Sequence, residues 1–525
     1  MSPTSPTSAV SATAAANPAT PANPAAPANP AAPADPAADA DPRTPASPTS
    51  PASPVSSEAT RYHETVHTPT EVANPESYPP LVVKSYPDAP RHRLPWPPER
   101  SAHRLGRLLA DLGGITRSQW LTPLDMLPFT DSFEAIPDAD PLQWLVTRRP
   151  TPSGGARYSA EWYVIAGPDS EVPTGVYHYD PARHDLVRLR EGDYRGWVAS
   201  RPATTVLVQT NVFWRLAAKY GEMYYRLACL EAGIQVAQAL AIADGENATA
   251  RLCFPDADVT EVLGLDPREE GVHAVVELLP RVPAGYGGPS LAAFPRAYGA
   301  HAAVLAQSRP EPEPLPAAPP GEGKRISLPH AAPDLAAGTR TRHAAMRGFN
   351  GETMSKGALA TILTAYGQRA RWDLPANLVE FYCVVADVTG VPAGAYRYHP
   401  DEHELELVGE GDPRQRLRDA ALAALTQQGA RTANVWLLPV GDAAAAEERF
   451  GSRWYRVQQA AAGAALHRAC LAGAAVDVAS RIQNDVLTHL LDSWFGLAGR
   501  RRSLLVAQFG TEHPGGLRPE FRLTW

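Results

Sequence analysis

The sequence predicts an α+β protein of two fused lobes, each a mixed sheet flanked by helices, forming a pseudo-dimer behind a disordered N-terminal tail. Three observations predict it. Residues 172–193 (VPTGVYHYDPARHDLVRLREGD) return 219 positions later as residues 391–412 (VPAGAYRYHPDEHELELVGEGD), with 11 of 22 positions identical. Tyr220 to Arg226 (YGEMYYR) is echoed in the same order by Phe450 to Arg456 (FGSRWYR), and each run leads into an Ala-rich helix. Helical and strand periodicities also follow one another in the same order in both halves. A period of about 220 residues is too long for a solenoid, so a whole domain is duplicated. Such a duplication fuses a homodimer into one chain, and sites at its interface draw on both lobes.

Residues 1–60 form a Pro/Ala-rich tail. Without aromatic side chains it cannot offset its ordering entropy by burial and is expected to be disordered. It carries no basic n-region or apolar h-region, so it does not read as a secretory signal. Residues 61–98 are an extended N-terminal segment, opening at Arg61–His67 and running Pro-rich from Tyr78 to Pro98 over the first lobe. Lobe one covers 99–285. Leu at helical spacing predicts a helix from Leu105 to Ile115, stopped by Gly113-Gly114. Glu161–Ala166 is a strand, and 172–193 is a hairpin with a Pro-Ala corner. Tyr224–Ala243 is the strongest helix, with Leu227, Leu230, Ile234, Ala237 and Leu240 on one apolar stripe. His273–Leu279 closes the lobe as a strand. Residues 286–337 read as a Pro/Ala-rich linker. Lobe two, 338–525, repeats the order: helix Lys356–Tyr366, strand Phe381–Ala386, the second hairpin, strand Asn434–Val440, and helix Tyr455–Ala475.

A net charge of −8 and a pI near 6.0 leave no electrostatic footprint for nucleic acid. No run approaches 18 apolar residues, which argues against a membrane span. Cys229, Cys253, Cys383 and Cys470 are scattered without metal-ligand spacing or disulfide density, so a reducing, cytoplasmic setting and no metal are expected. No Walker loop, dinucleotide fingerprint, Gly-x-Ser-x-Gly elbow or His-Glu-x-x-His is present.

Three motifs could carry chemistry. Pro152-Ser153-Gly154-Gly155, just before the strand at Glu161, is a backbone that can bend sharply and approach a flat or anionic ligand. The same turn also suits an ordinary surface loop, but its counterpart in lobe two, Trp372 to Asn377, has no glycine. Lys219-Tyr220 places an amine beside a phenol, a proton-transfer pair if burial lowers the lysine pKa; the plainer alternative is a solvated lysine beside a core tyrosine. At the matching positions lobe two has Arg449-Phe450, neither of them a useful base. Arg340, Arg342 and Arg347 form a cationic cluster at the start of lobe two that could bind phosphate or simply be a solvated face; lobe one has no counterpart.

Taken in order, these segments resemble the SagB/ThcOx-type azoline dehydrogenases of the nitroreductase superfamily, over most of residues 61–525. The carriers are Tyr62-His-Glu-Thr-Val-His67, Pro152–Ala156, Tyr177-His-Tyr-Asp-Pro181, Lys219-Tyr-Gly-Glu through Arg226, Leu230-Glu-Ala-Gly233 into Gln238, and Arg347-Gly-Phe349. The resemblance implies two nitroreductase-like lobes with FMN bound between them. It also implies oxidation of thiazolines or oxazolines in a ribosomally made precursor peptide to thiazoles or oxazoles, with oxygen reoxidising the flavin and a cyclodehydratase as partner. On that reading Lys219 and Tyr220 are catalytic, Tyr220 removing the proton with help from Lys219. Pro152, Ser153, Gly154 and Gly155 form the flavin-facing turn, and Arg347, supplemented by Arg340 or Arg342, holds the phosphate. Ala344-Ala345 stand where the family has Arg-Ser. The implied site is therefore single and composite, with the turn and Lys-Tyr from lobe one and the arginines from lobe two. The alternatives are a flavin-free scaffold in a peptide-modifying complex and a general NAD(P)H nitro- or quinone reductase. Further homodimerisation is left open.

Overall fold

A computed structural model of the chain describes residues 58–66, 83–97, 102–120, 145–243, 248–279, 315, 321, 323–514 and 520–522. The tail up to residue 57 and most of the 286–337 linker lie outside the described residues.

The helices are α1 (Glu58–Val66), α2 (Arg104–Gly113), α3 (Arg195–Val198), α4 (Phe213–Tyr220), α5 (Tyr224–Ile242), α6 (Asp256–Leu263), α7 (Leu335–Thr341), α8 (Lys356–Gly367), α9 (Arg414–Ala420), α10 (Ala424–Thr432), α11 (Ala443–Phe450), α12 (Trp454–Ala475) and α13 (Thr488–Asp492). Lobe one holds strands β1 (Arg91–Arg93) and β4 (Ala160–Ala166) to β9 (Glu270–Leu278), with β5 at Gly175–Asp180, β6 at Asp185–Glu191, β7 at Thr205–Val212 and β8 at Ala248–Arg251. Its sheet runs β1-β6-β5-β4-β7-β9-β8. Lobe two holds β10 (Arg325–Ser327), β11 (Glu380–Val385), β12 (Gly394–His399), β13 (Glu404–Glu410), β14 (Val435–Asp442), β15 (Ala479–Gln483), β16 (Arg501–Ser503) and β17 (Val506–Gly510). Its sheet runs β10-β13-β12-β11-β14-β17-β15, the same order position for position, with β16 paired to β14. A small third sheet joins β2 (Arg117–Trp120) to β3 (Leu145–Arg148) and β18 (Glu520–Arg522).

The duplication reaches the backbone itself. Both hairpins carry a bulge at the same place, between Val176 and Tyr177 and between Ala395 and Tyr396. Both put a left-handed histidine at the corner, His184 and His403, each at φ +53°. In each, a tyrosine hydroxyl meets that histidine's Nδ1, at 2.9 Å (Tyr179) and 2.8 Å (Tyr398).

Three details differ from the sequence expectation. The paired strands are antiparallel throughout rather than mixed, because consecutive strands join through hairpins or run back across the sheet. The repeat also starts earlier than residue 338: β10, inside the expected linker, pairs with β13 just as β1 pairs with β6. Three-residue edge strands are too short to show alternation. Likewise the tail boundary at 60 falls inside α1, whose Thr60 hydroxyl donates to Glu447 at 2.8 Å.

The central helix α5 is buried on every side, not along one stripe, because it packs against its duplicate α12 as well as its own sheet. The crossing is close at two equivalent glycines, 230 positions apart. A Cβ on Gly233 would lie 1.8 Å from the Ala460 carbonyl oxygen, and one on Gly463 would lie 2.1 Å from that of Leu230. At the helix starts Tyr225 and Tyr455 stack, with centroids 6.2 Å apart. Helix α1 covers them: Tyr62 packs edge-on against both rings, and its hydroxyl donates to the Glu222 carbonyl at 2.6 Å. Among the described residues no helix is long and apolar enough to cross a membrane.

Candidate functional site

Before β4 the chain must turn from β3 onto the end of α5, and three backbone positions in that turn are left-handed: Gly155 (φ +55°), Ala156 (+54°) and Tyr158 (+47°). The turn is held from below by a buried carboxylate. Glu231, buried on α5, accepts from the Ser153 hydroxyl (2.8 Å), the Gly154 N–H (2.8 Å) and the Ser159 hydroxyl (2.7 Å). Burial raises its pKa, while these donors oppose the rise. Gln235, one helical turn on, donates to Thr151 at 2.7 Å. The Ser153 oxygen also accepts the Tyr158 N–H at 2.8 Å, so this hydroxyl shapes the turn.

The top of the turn faces the pair. A Cβ built on Gly155 would lie 2.7 Å from the Tyr220 hydroxyl oxygen and 2.9 Å from Lys219 Nζ. Both groups come from the last turn of α4, which stops at Gly221 (φ +51°) before α5 begins. Lys219 is half-buried; burial, and next the Arg157 guanidinium, lower its pKa. Gly155 itself is exposed, so the pair and the turn are open to a ligand from one side.

The lobe-two arginines are placed unequally. Arg342 crosses to lobe one, donating from Nε and Nη2 to the Pro150 carbonyl at 3.3 and 3.0 Å, so it anchors the base of the turn. Burial brings its pKa down to about 10. Arg347 is engaged with Glu512 (2.8 Å) and the His513 carbonyl (2.9 Å), and Arg340 is exposed at the end of α7. The structure adds Arg481, on β15. Its Nη1 is buried with no hydrogen-bond partner among the described residues. Burial lowers its pKa to about 10, opposed by Asp485 and by Tyr220, which places the Tyr220 phenol within its field. A lone arginine on a short strand carries no signal in the sequence. Glu231, Gln235 and Gln238, spaced along one face of an otherwise apolar helix, did carry one.

The equivalent half of the molecule is closed. Arg371 accepts from the Ala250 N–H through its carbonyl (2.9 Å), extending lobe one's sheet. Asp373 caps the N–H groups of Leu252 and Cys253 at 2.8 and 2.9 Å. Arg251, which matches Arg481, is paired with Glu277 at 3.3 Å.

Residues 340–511, within the second lobe, match the family described as Nitroreductase family. A candidate nitroreductase of Anabaena variabilis superposes with a TM-score of 0.67 at 21% identity, covering 87% of this chain and 99% of that one. A candidate nitroreductase of Ralstonia eutropha covers 39% of this chain and 99% of its own (20% identity, TM-score 0.30). The E. coli microcin synthetase McbBCD complex with truncated pro-MccB17 bound covers 43% and 84% (20% identity, TM-score 0.26). No curated protein matches. The first of these structures shows a nitroreductase-like fold over most of the chain.

Proposed function

We propose that the chain is an FMN-dependent dehydrogenase that oxidises thiazoline or oxazoline rings of a ribosomally made peptide to thiazoles or oxazoles. The observation that carries the proposal is the contact of the glycine turn with Lys219 and Tyr220, whose reactive atoms both lie within 3 Å of one point above Gly155. The residues fit a flavin. Near the exposed Gly155 stand the cations Lys219, Arg157 and Arg481, suited to an anionic ring edge or phosphate, while burial favours the neutral form of Glu231 beneath the turn. The turn Pro152–Gly155 would hold the ring system, and Arg481 would meet an anionic edge or phosphate.

When bound, FMN supplies a hydride acceptor. The protein's own part is proton transfer and orientation. The Cα proton of the azoline passes to the Tyr220 oxygen as the phenol proton passes to the Lys219 amine. Burial and Arg157 favour the neutral amine that this relay requires. Arg342 and Glu231 hold the turn, and with it the pair, from opposite lobes.

The test is the visible spectrum and released flavin of the purified chain, followed by turnover of an azoline peptide. About one FMN per chain, with Lys219→Ala and Tyr220→Phe retaining flavin but losing more than about a hundredfold in rate, is expected. Turnover within tenfold of wild type in both variants excludes the pair. The engagement of Arg347 by Glu512 favours one second reading, a flavin-free scaffold. A colourless protein that takes up no FMN selects it.

A further inference from the structure

A cavity lies away from this site, on the far half of α5. It encloses about 540 Å³ and is floored by Val236, Ala237, Leu240 and Ala241. Its position follows from the duplication. In lobe two, α7 lies on α12 so closely that a Cβ on Gly338 would meet the Leu471 carbonyl oxygen at 2.0 Å, and the Thr341 hydroxyl donates to the Ala474 carbonyl at 3.3 Å. Given the 230-residue offset between Gly233 and Gly463, the counterpart of Leu471 on α5 is Ala241. At the corresponding point lobe one's sequence is too short for an equivalent helix. Seven residues separate Pro95 from His103, where lobe two has α7 and its following loop between Pro329 and Ser355. The cavity is therefore the second α7 seat, uncovered among the described residues.

Its walls state what fits. Three guanidinium groups, Arg369, Arg371 and Arg468, and one carboxylate, Asp334, line it, with Trp372 as a flat side wall; Arg369 also reaches the Asp401 carboxylate at 4.0 Å. Arg468 is 7% exposed; Nε and Nη2 donate to the carbonyls of Ala365 (3.1 Å) and Tyr366 (3.4 Å), and Nη1 has no hydrogen-bond partner among the described residues. Ala237 and Ala241 on the floor leave room for a helix backbone at close range. A cationic rim over an apolar floor selects an acidic amphipathic segment.

We propose that this cavity docks a short acidic helix of a partner polypeptide, in the pose that α7 adopts on α12. The inference does not depend on flavin chemistry.

The probe is a fluorescein-labelled peptide of residues 332–343 carrying Arg340→Glu and Arg342→Glu, titrated by anisotropy against the full chain. It retains Asp334 as N-cap and Gly338 for the close approach. Saturable binding below about 1 mM is expected, with the unaltered 332–343 peptide at least tenfold weaker. Ala241→Trp, which fills the floor, abolishes binding, and the exposed pair Arg369→Glu/Arg371→Glu weakens it at least tenfold while FMN uptake is unchanged. Equal binding of both peptides, binding that survives both variants, or no binding at 1 mM overturns the proposal. The charge-reversed surface variant keeps the test decisive if Ala241→Trp fails to fold.

Discussion

Gly155→Ala separates the two roles of the glycine turn. The residue sits at φ +55° and ψ 23°, where an L side chain costs about 1–2 kcal/mol. Its new methyl would also stand 2.7 Å from the Tyr220 oxygen and 2.9 Å from Lys219 Nζ, whereas ordinary contact begins at 3.4 Å. The two reactive atoms must therefore retreat by roughly 0.5–0.7 Å or more, and a misplacement approaching 1 Å costs about a hundredfold in rate. Gly264→Ala supplies the control, since Gly264, after α6, is also left-handed (φ +68°, ψ 40°) and its nearest atom, Arg190 Nη2, lies at an ordinary 3.6 Å. Both variants should lose the same ~1–2 kcal/mol in denaturant unfolding. Only Gly155→Ala should lose azoline turnover, by about a hundredfold. Wild-type turnover in Gly155→Ala would refute the placement of the pair against the turn. An equal loss in both would trace the defect to strain instead.

Three further outcomes follow from the same geometry. Glu231→Ala leaves the Ser153, Gly154 and Ser159 donors without their shared acceptor and should destabilise by about 3 kcal/mol in chemical unfolding, with the Pro152–Gly155 turn loosened. Turnover should rise with pH along a limb centred below 10.5, as the Lys219 amine loses its proton, and Arg157→Met should move that limb to higher pH. The sign for stability is the same: between the depressed folded value and 10.5 the unfolded chain holds the extra proton, so Lys219 contributes stability that grows as pH rises. Gly233→Leu cannot be accommodated against the Ala460 carbonyl without parting α5 from α12, and should cost more than about 3 kcal/mol or prevent folding, read by thermal unfolding.

The duplication made the fold legible, because identical spacing in two halves is stronger than any local periodicity. Strand β4, the hairpins and α8 stand within a residue or two of where their patterns put them. What stayed hidden depends on pairing partners that are remote in sequence. The edge strands β1 and β10 are strands only because β6 and β13 present free edges to them. Gly155, Lys219 and Tyr220, far apart in sequence, meet in space. The arginines are not separable by sequence: three look alike, yet one anchors Pro150, one meets Glu512 and one faces solvent. The cation near Tyr220, Arg481, arrives from lobe two through β15.

A last perturbation asks whether divergence at Arg449 and Phe450 alone silenced the second half. Restoring Arg449→Lys and Phe450→Tyr reproduces the pair, and α11 already ends at Gly451 with the same left-handed φ as its counterpart, near +55°. The rest of the half would still not answer. Where lobe one has two glycines, lobe two has the Trp372–Asp373 segment, hydrogen-bonded along lobe one's edge strand and capping Leu252 and Cys253. Where lobe two offers Arg481, lobe one has Arg251 already paired with Glu277. The double variant should therefore keep about one flavin per chain in a released-flavin assay and gain no turnover. A second flavin in it would mean that two side chains, rather than the locked loop and the paired arginine, account for the asymmetry of the duplicated halves.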